Sequence, residues 1–285
     1  NYFYVNSFVL VFGCQLLLRE LIFSRLISKD TRREIFRTHN GSYTESELSL
    51  ATNVLADFAG DQPGVLADSL MDADATQFAV LFPRIDGHRD TAIQLLEAEL
   101  DKKLTAAVEE PDKERLAKRQ ANAAVALWRM NSDNAIWSLL KHSSDPSVRS
   151  WLVHRLGPLG VEAKAIIKRL AEEKEVSTRR ALILSLGELE ITRFTPDERE
   201  TIVATLAEAY RDDSDPGIHG AAEWLLRQWG HTENIGQINK ELSRLPRSSI
   251  RQEGRTPEKA KRQWFVNEQG HTLVVIPGPI EFLQG

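Results

Sequence analysis

Few side chains in this sequence are equipped for chemistry, and their spacing scatters them. Cys14 is the only cysteine among 285 residues, so neither an intramolecular disulfide nor a cysteine-based metal cluster can form. The seven histidines (39, 88, 142, 154, 219, 231 and 271) lie far apart, and none stands at metal-ligand spacing from another. Trp128, Trp137 and Trp151 are close enough to suggest an aromatic cage, but core filling between stacked helices is the plainer reading. Gly157-Pro158-Leu159-Gly160 comes nearest to a phosphate-binding glycine loop and reads instead as a helix stop. Asp-Phe-Gly occurs nowhere, and His88-Arg89-Asp90 stands without the asparagine that a kinase catalytic loop carries five residues after its aspartate, Leu95 being there instead. On this basis no catalytic, cofactor-binding or metal-ligating residue is assigned.

What the sequence does contain is a repeated opening. Asp145-Pro146-Ser147-Val148-Arg149 starts an apolar helix closing at Leu156-Gly157. Glu175-Val176-Ser177-Thr178-Arg179 starts another closing at Leu186-Gly187, and Asp215-Pro216-Gly217-Ile218-His219 a third closing at Leu226. Arg149 and Arg179 are 30 residues apart, and Arg179 and His219 are 40 apart. Helix pairs recurring at about this interval indicate a helical solenoid. Asp145 should cap its helix with Pro146 at the first helical position, where no N–H is needed. Val148, Trp151, Leu152, Arg155 and Leu156 follow at helical spacing, and Gly157 with Pro158 should end the helix. Asp215-Pro216 repeats this chemistry, whereas Glu175-Val176 is weaker and should start less sharply. The arginine at the fifth position (Arg149, Arg179) should bond a neighbouring repeat's carboxylate or loop carbonyl rather than a ligand.

These copies sit in a mostly helical chain. Leu48, Ala51, Thr52, Leu55, Ala56 and Ala59 form an apolar stripe stopped by Gly60. Pro63 opens a helix with Val65, Leu66, Leu70 and Met71; Asp74 caps one carrying Phe78, Leu81 and Phe82 and ended by Pro83. Ala92, Ile93, Leu96 and Leu100 mark a helix over 90–104. Pro111-Asp112 starts a strongly charged helix turn, after which Arg119 to Met130 becomes small and apolar, as an inner, closely packed helix requires. Asp133 caps a helix with Ile136, Trp137, Leu139 and Leu140. Partner helices are expected over 162–172 and 196–211, and a last helix over 235–245.

The flanks differ. Asn1 to Leu18 holds no Asp, Glu, Lys or Arg, which is about the lower limit for a membrane span. A membrane helix, its basic flank from Arg19 to Arg33 facing the cytoplasm, and a buried core helix both stay open. A cleavable signal peptide fits poorly, since no basic region precedes the apolar run. Pro246 to Arg262 carries six basic residues against Glu253 and Glu258 and reads as a solvated linker; an anion patch there lacks interleaved aromatics. Beyond it the period becomes two: Trp264-Phe265-Val266 and Thr272 to Ile276 read as strands around Asn267-Glu268-Gln269-Gly270. Pro277-Gly278-Pro279 breaks the second. A two-stranded hairpin is marginal alone, so it should dock on the last helices, through Trp264 and Phe265 against Trp229, or fray. The net charge of −5 argues against a nucleic-acid partner, and the opening on Asn1 rather than Met suggests a fragment or processed product.

The tail from Thr272 to Gly285, with Ile276-Pro277-Gly278 and Glu281-Phe282, resembles the opening of the formylglycine-generating enzyme (sulfatase-modifying factor) domain; Gln284 stands where Met is usual. Ala56-Asp57-Phe58, Leu66-Ala67-Asp68, Gln77 to Pro83 and His219 to Gly230 resemble a HEAT-like region of large bacterial proteins that lies between a serine/threonine kinase domain and such a domain. The resemblance runs from about Tyr43 to Gly285. It implies an all-α fold, a right-handed α-α solenoid of HEAT-like repeats with a short β-hairpin at the C-terminus. The implied divisions are an apolar segment and loop (1–42), the repeat domain (43–245), the linker (246–262) and a truncated start of the formylglycine-generating-type domain (263–285). That family's oxidase chemistry needs a late cysteine pair, absent here. The expected role is a non-catalytic scaffold, cytoplasmic and anchored to a membrane if residues 1–18 span it. Its partners would be a protein and flanking catalytic domains of the same polypeptide, with no cofactor and no nucleic acid. The alternative is the regulatory arm of an enzyme, either a sulfatase-modifying oxidase or a serine/threonine kinase.

Overall fold

A computed structural model describes residues 52–53, 55–57, 59–103, 109–132, 135–244 and 262–276. The apolar segment 1–18 with its membrane reading, Cys14, the Asp133 cap, the linker up to residue 261 and the tail from 277 lie outside the described residues. Among the described residues no helix is long and apolar enough to cross a membrane.

The described chain is mostly helical, with a small antiparallel sheet. In order come α1 (Pro63–Asp72), α2 (Ala75–Asp86), α3 (Arg89–Leu100), α4 (Glu110–Arg129), α5 (Ala135–Leu139), α6 (Ser147–Arg155), α7 (Ala163–Glu172) and α8 (Val176–Gly187). A 3-10 turn (Ile191–Arg193) leads to α9 (Pro196–Asp212), α10 (Pro216–Gln228) and α11 (Thr232–Leu242), and then to β1 (Trp264–Val266) and β2 (Thr272–Val274). α4 packs against α1, α3 and α6; α6 packs against α8, and α8 against α10. The helices opened by the three motif copies therefore lie side by side, each of the last two with its preceding helix, α7 or α9, alongside.

Local chemistry explains the starts. Asp74 and Gln77 form a reciprocal capping box on α2, and Thr195 with Glu198 does the same on α9. Pro63, Pro111, Pro196 and Pro216 each stand in the first helical turn, where their missing N–H costs nothing. A shared apolar cluster then extends from Ala56 to Val266. Ala121 to Leu127 of α4 are all buried, mostly small residues that let α1, α3 and α6 approach it. Leu156, Leu186 and Leu226, at the same place in each copy, are fully buried.

Several expectations need correction. α2 continues through Pro83 to Asp86, because Phe82 and Ile85 on either side of it are buried in the core and outweigh the lost helical hydrogen bond. The charged helix turn at Pro111 and the small, apolar stretch after it do form a helix, a single one of 20 residues. Pro146, not Asp145, takes the cap position of α6, and the Asp145 carboxylate accepts from the Ser147 N–H at 2.9 Å. Glu175, read as a weaker start, caps α8 firmly, accepting from the Thr178 N–H and Ser177 Oγ, both at 2.6 Å. α6 ends just before Gly157 and α8 at Gly187, as read, but neither glycine is left-handed; among the described residues the positive-φ glycines are Gly160, Gly230 and Gly270. Gly157 and Gly187 also mark close approaches. A Cβ at Gly157 would lie 2.3 Å from Leu189 Cδ2, and one at Gly187 would lie 2.3 Å from the Trp224 ring.

The Leu186→Asp variant should lose about 3–5 kcal/mol, since it places a carboxylate at a fully buried position of the apolar core. Thermal unfolding followed by circular dichroism checks this, and a melting temperature unchanged within error would remove Leu186 from the core.

Candidate functional site

Two constellations of polar side chains stand out, and both begin at helix ends. The last carbonyls of α1 have no partner within their own helix. Asn122 of α4, fully buried, shares its side-chain amide among the carbonyls of Leu70, Met71 and Ala73 at 3.1, 3.0 and 2.9 Å. Its own side-chain oxygen accepts from Arg155 Nη1 of α6 at 3.0 Å, and that nitrogen also reaches the Ala73 carbonyl at 3.0 Å. Lys118 donates to the Asp72 carbonyl at 2.8 Å. Nearby on the same helix, Gln120 does for α3 what Asn122 does for α1, donating to the carbonyls of Glu99, Leu100 and Lys102 at 3.1, 3.2 and 2.9 Å.

Between these ends lies Arg119, its side chain only 9% exposed. It donates to Glu99 at 2.6 Å, Asp72 at 2.7 Å and Asp68 at 2.9 Å, so one guanidinium joins α1, α3 and α4. Arg115 adds a two-pronged contact to Asp72, and Lys102 meets Glu99. Burial pushes the carboxyl pKa values of Asp72 and Glu99 up, yet both end below the ordinary carboxylate range. The hydrogen bonds and charges of Arg115 and Arg119 outweigh burial at Asp72, and those of Arg119 and Lys102 outweigh it at Glu99. Burial lowers the Arg119 pKa, but Glu99 and Asp72 more than reverse it and the guanidinium stays charged. General acid–base catalysis needs a group poised near neutrality. This cluster keeps Asp72, Glu99 and Arg119 ionised, and its ion pairs tie the three helices together.

The second constellation is a series of joints between the motif copies. Arg149, fifth in its copy, donates to the Leu140 carbonyl at 2.9 Å behind it and to the Ser177 carbonyl of the next copy at 3.1 Å. Arg179, in the same place, meets the Asp213 carboxylate at 2.9 Å. The sequence reading of these arginines as bonds to a neighbouring carboxylate or carbonyl therefore holds at both. His219 follows the pattern: Nδ1 donates to the Tyr210 carbonyl at 2.7 Å, nine residues back as Leu140 is from Arg149. Its Nε2 pairs with Thr272 Oγ1 at 2.9 Å, in the hairpin. The hairpin is thus docked. Its contact runs through Trp264 onto His219, with ring centroids 3.6 Å apart, and not onto Trp229, which packs on Phe194. Trp264 Nε1 donates to the Asp213 carbonyl at 2.8 Å, the Gln263 N–H to the Ser214 carbonyl at 3.0 Å, and Arg262 to the Arg211 carbonyl at 2.7 Å.

The Thr272–His219 contact has the spacing of a nucleophile and its base. It has no room to act as one: His219 is 0% exposed, with the Tyr210 ring stacked 4.2 Å away on one side and Trp264 on the other. The glycine turn at 157–160 offers no anion cradle either. The N–H groups of Leu159, Gly160 and Val161 are already bonded within the turn, and Arg129 donates to the Leu159 carbonyl at 3.0 Å. The three tryptophans do not converge. Trp128 and Trp137 meet edge to face at 6.0 Å, while Trp151 turns away, its Nε1 donating to Glu114 at 2.7 Å with Arg155 over its ring. Among the described residues no group of His, Cys, Asp or Glu could hold a metal ion.

Comparisons of the chain with family models, curated proteins and solved structures gave no match.

Arg119→Ala should cost about 3–5 kcal/mol, because Glu99, 4% exposed, is left charged without its main partner; chemical denaturation of the variant measures it. Glu175 supplies an acid-sensitive counterpart. Burial raises its pKa, but the Ser177 and Thr178 hydrogen bonds win and hold it at about 2 against an ordinary 4.5. A carboxyl depressed by folding stabilises the fold above its unfolded pKa and loses that contribution as pH falls through the folded value. Glu175→Gln should therefore cost about 1–2 kcal/mol at neutral pH after solvent screening. It should also flatten the loss of stability between the two pKa values, as denaturant titrations across that range will show.

Proposed function

We propose that this chain is a non-catalytic scaffold, a right-handed α-α solenoid of HEAT-like repeats that engages a protein partner and holds flanking domains of a longer polypeptide. The observation that carries this reading is the recurrence of one joint: the fifth residue of each copy reaches the element that follows it, at Ser177, Asp213 and Thr272. Units joined only to their neighbours build long surfaces whose spacing is fixed by the joints. The side-by-side packing of α4, α6, α8 and α10 and the shared core support the same reading. So does the ionised state of the buried charge cluster, which suits cohesion rather than turnover. Trp224, 40% exposed on α10 and seated against Gly187 of α8, offers a partner an aromatic anchor on the stacked helices. The resemblance of the tail and of the repeat region supports a setting within a bacterial protein that also carries a formylglycine-generating-type domain and a kinase domain.

The purified chain should transfer no phosphate from ATP and oxidise no cysteine in a sulfatase-derived peptide. Reproducible turnover of either substrate, abolished by a point substitution in this chain, would overturn the scaffold reading.

A further inference from the structure

The joints differ in one chemical respect. Arginine at 149 and 179 keeps its charge at any physiological pH. Histidine at 219 does not, since its ordinary pKa lies near 6.5. The first two joints hold the next helical copy, whereas the third holds the hairpin. The thirteenth position tells the same story. It is Gly157 and Gly187 where a following unit presses close, and Arg227 in the last copy, where the side chain folds back onto Glu223 of its own helix. The hairpin therefore stands where the helical copies end.

We propose that the hairpin is a releasable end cap on α9 and α10, and that protonation of His219 loosens it. The geometry sets the direction. The Tyr210 main-chain carbonyl can only accept, so Nδ1 carries the hydrogen and, in the neutral ring, Nε2 accepts from the Thr272 hydroxyl. A second proton on the ring points an N–H at a hydroxyl that was itself donating, and Thr272 must turn over. The new charge sits between two aromatic rings on a fully buried side chain. Rings favour a cation modestly, and desolvation opposes it.

The charged groups facing His219 do not rescue it. Glu223, on the same helix, favours the cation but is already ion-paired with Arg227. Arg262, ahead of β1, opposes it and is itself held by Asp212. α9 and α11 present Tyr210 and Asn239, bonded to each other at 2.6 Å; burial pushes the Tyr210 phenol up to about 12, so both are neutral. β2 presents the Thr272 hydroxyl. The docked ring accordingly has a pKa below its ordinary 6.5, first through burial and then through Arg262, against the pull of the Tyr210 carbonyl and Glu223. The docked state binds fewer protons than the released one. Docking is then complete above the ordinary histidine pKa and weakens as pH falls below it, by at most about tenfold per pH unit, the slope of a single proton.

Hydrogen exchange on the full chain tests this. The reporters are the Gln263 and Val275 amides and the Trp264 indole N–H, bonded to the carbonyls of Ser214, Gln263 and Asp213. Between about pH 7.5 and about pH 5.5, after correction for intrinsic exchange, their opening constants should rise severalfold, while those of Leu184 to Leu186 stay level. His219→Gln should abolish that rise. Opening that is insensitive to pH, that changes equally in Leu184 to Leu186, or that keeps its pH dependence in His219→Gln would overturn the proposal. If the glutamine variant docks too weakly to follow, the ring-proton titration of His219 in the unaltered chain decides: a pKa below that of a free histidine upholds the cap, and one at or above it overturns it.

Discussion

Helix ends carry backbone groups that no residue of their own helix can satisfy, and packing helices side by side buries those ends along with the apolar faces. This chain meets that constraint in one recurring way: a side chain on one helix satisfies the end of another. Asn122 and Gln120 do so for α1 and α3, and Arg149 and His219 for the segments ahead of their helices. The apolar core supplies the cohesion, but these polar contacts decide which helices may be neighbours and in what register. A long polar side chain can reach two elements at once, as Arg119 does between α1 and α3. Losing it would therefore loosen two helix ends rather than one.

The sequence made the helices, the hairpin strands and the joints legible, since each rests on local signals or on a repeated spacing. Asp215-Pro216 announces α10, Leu156, Leu186 and Leu226 announce the core, and the arginines at the fifth position announce contacts between copies. What stayed hidden depends on partners distant in the chain. Asn122 lies in a run of alanines, and nothing local tells it from an exposed asparagine; its acceptors lie about fifty residues away. The glycines at 157 and 187 read as helix ends, which they are, but only the atoms pressed against them reveal the close approaches they also permit. Pro83 misled for the opposite reason, because propensity yields when buried side chains on both sides hold the helix in place. The docking surface of the hairpin was hidden too: Trp229 is nearer to the hairpin in sequence than His219 is, yet His219 is the ring that Trp264 covers.

The hairpin also shows how a short sheet persists on a helical body. Two three-residue strands cannot sustain themselves in water. Here Trp264, 1% exposed, supplies the buried area, and its indole N–H takes up the Asp213 carbonyl just beyond the end of α9. Leu273, Val274 and Ile276 stay outward and exposed, so the anchoring lies almost wholly with β1. The second strand is held by its pairing with β1 and by the Thr272 contact.

The missing side chains at Gly157 and Gly187 have a geometric consequence for the spacing of the elements packed against them. The angle between consecutive units follows from how near their helices can come, and at these two points it is set by the absence of a single carbon atom. A methyl group there would act as a wedge at the pivot between neighbours. Leu189 can swing aside at little cost, but the rigid indole of Trp224 cannot, so the second pivot is the stiffer. How closely these neighbours approach is thus written in two hydrogen atoms.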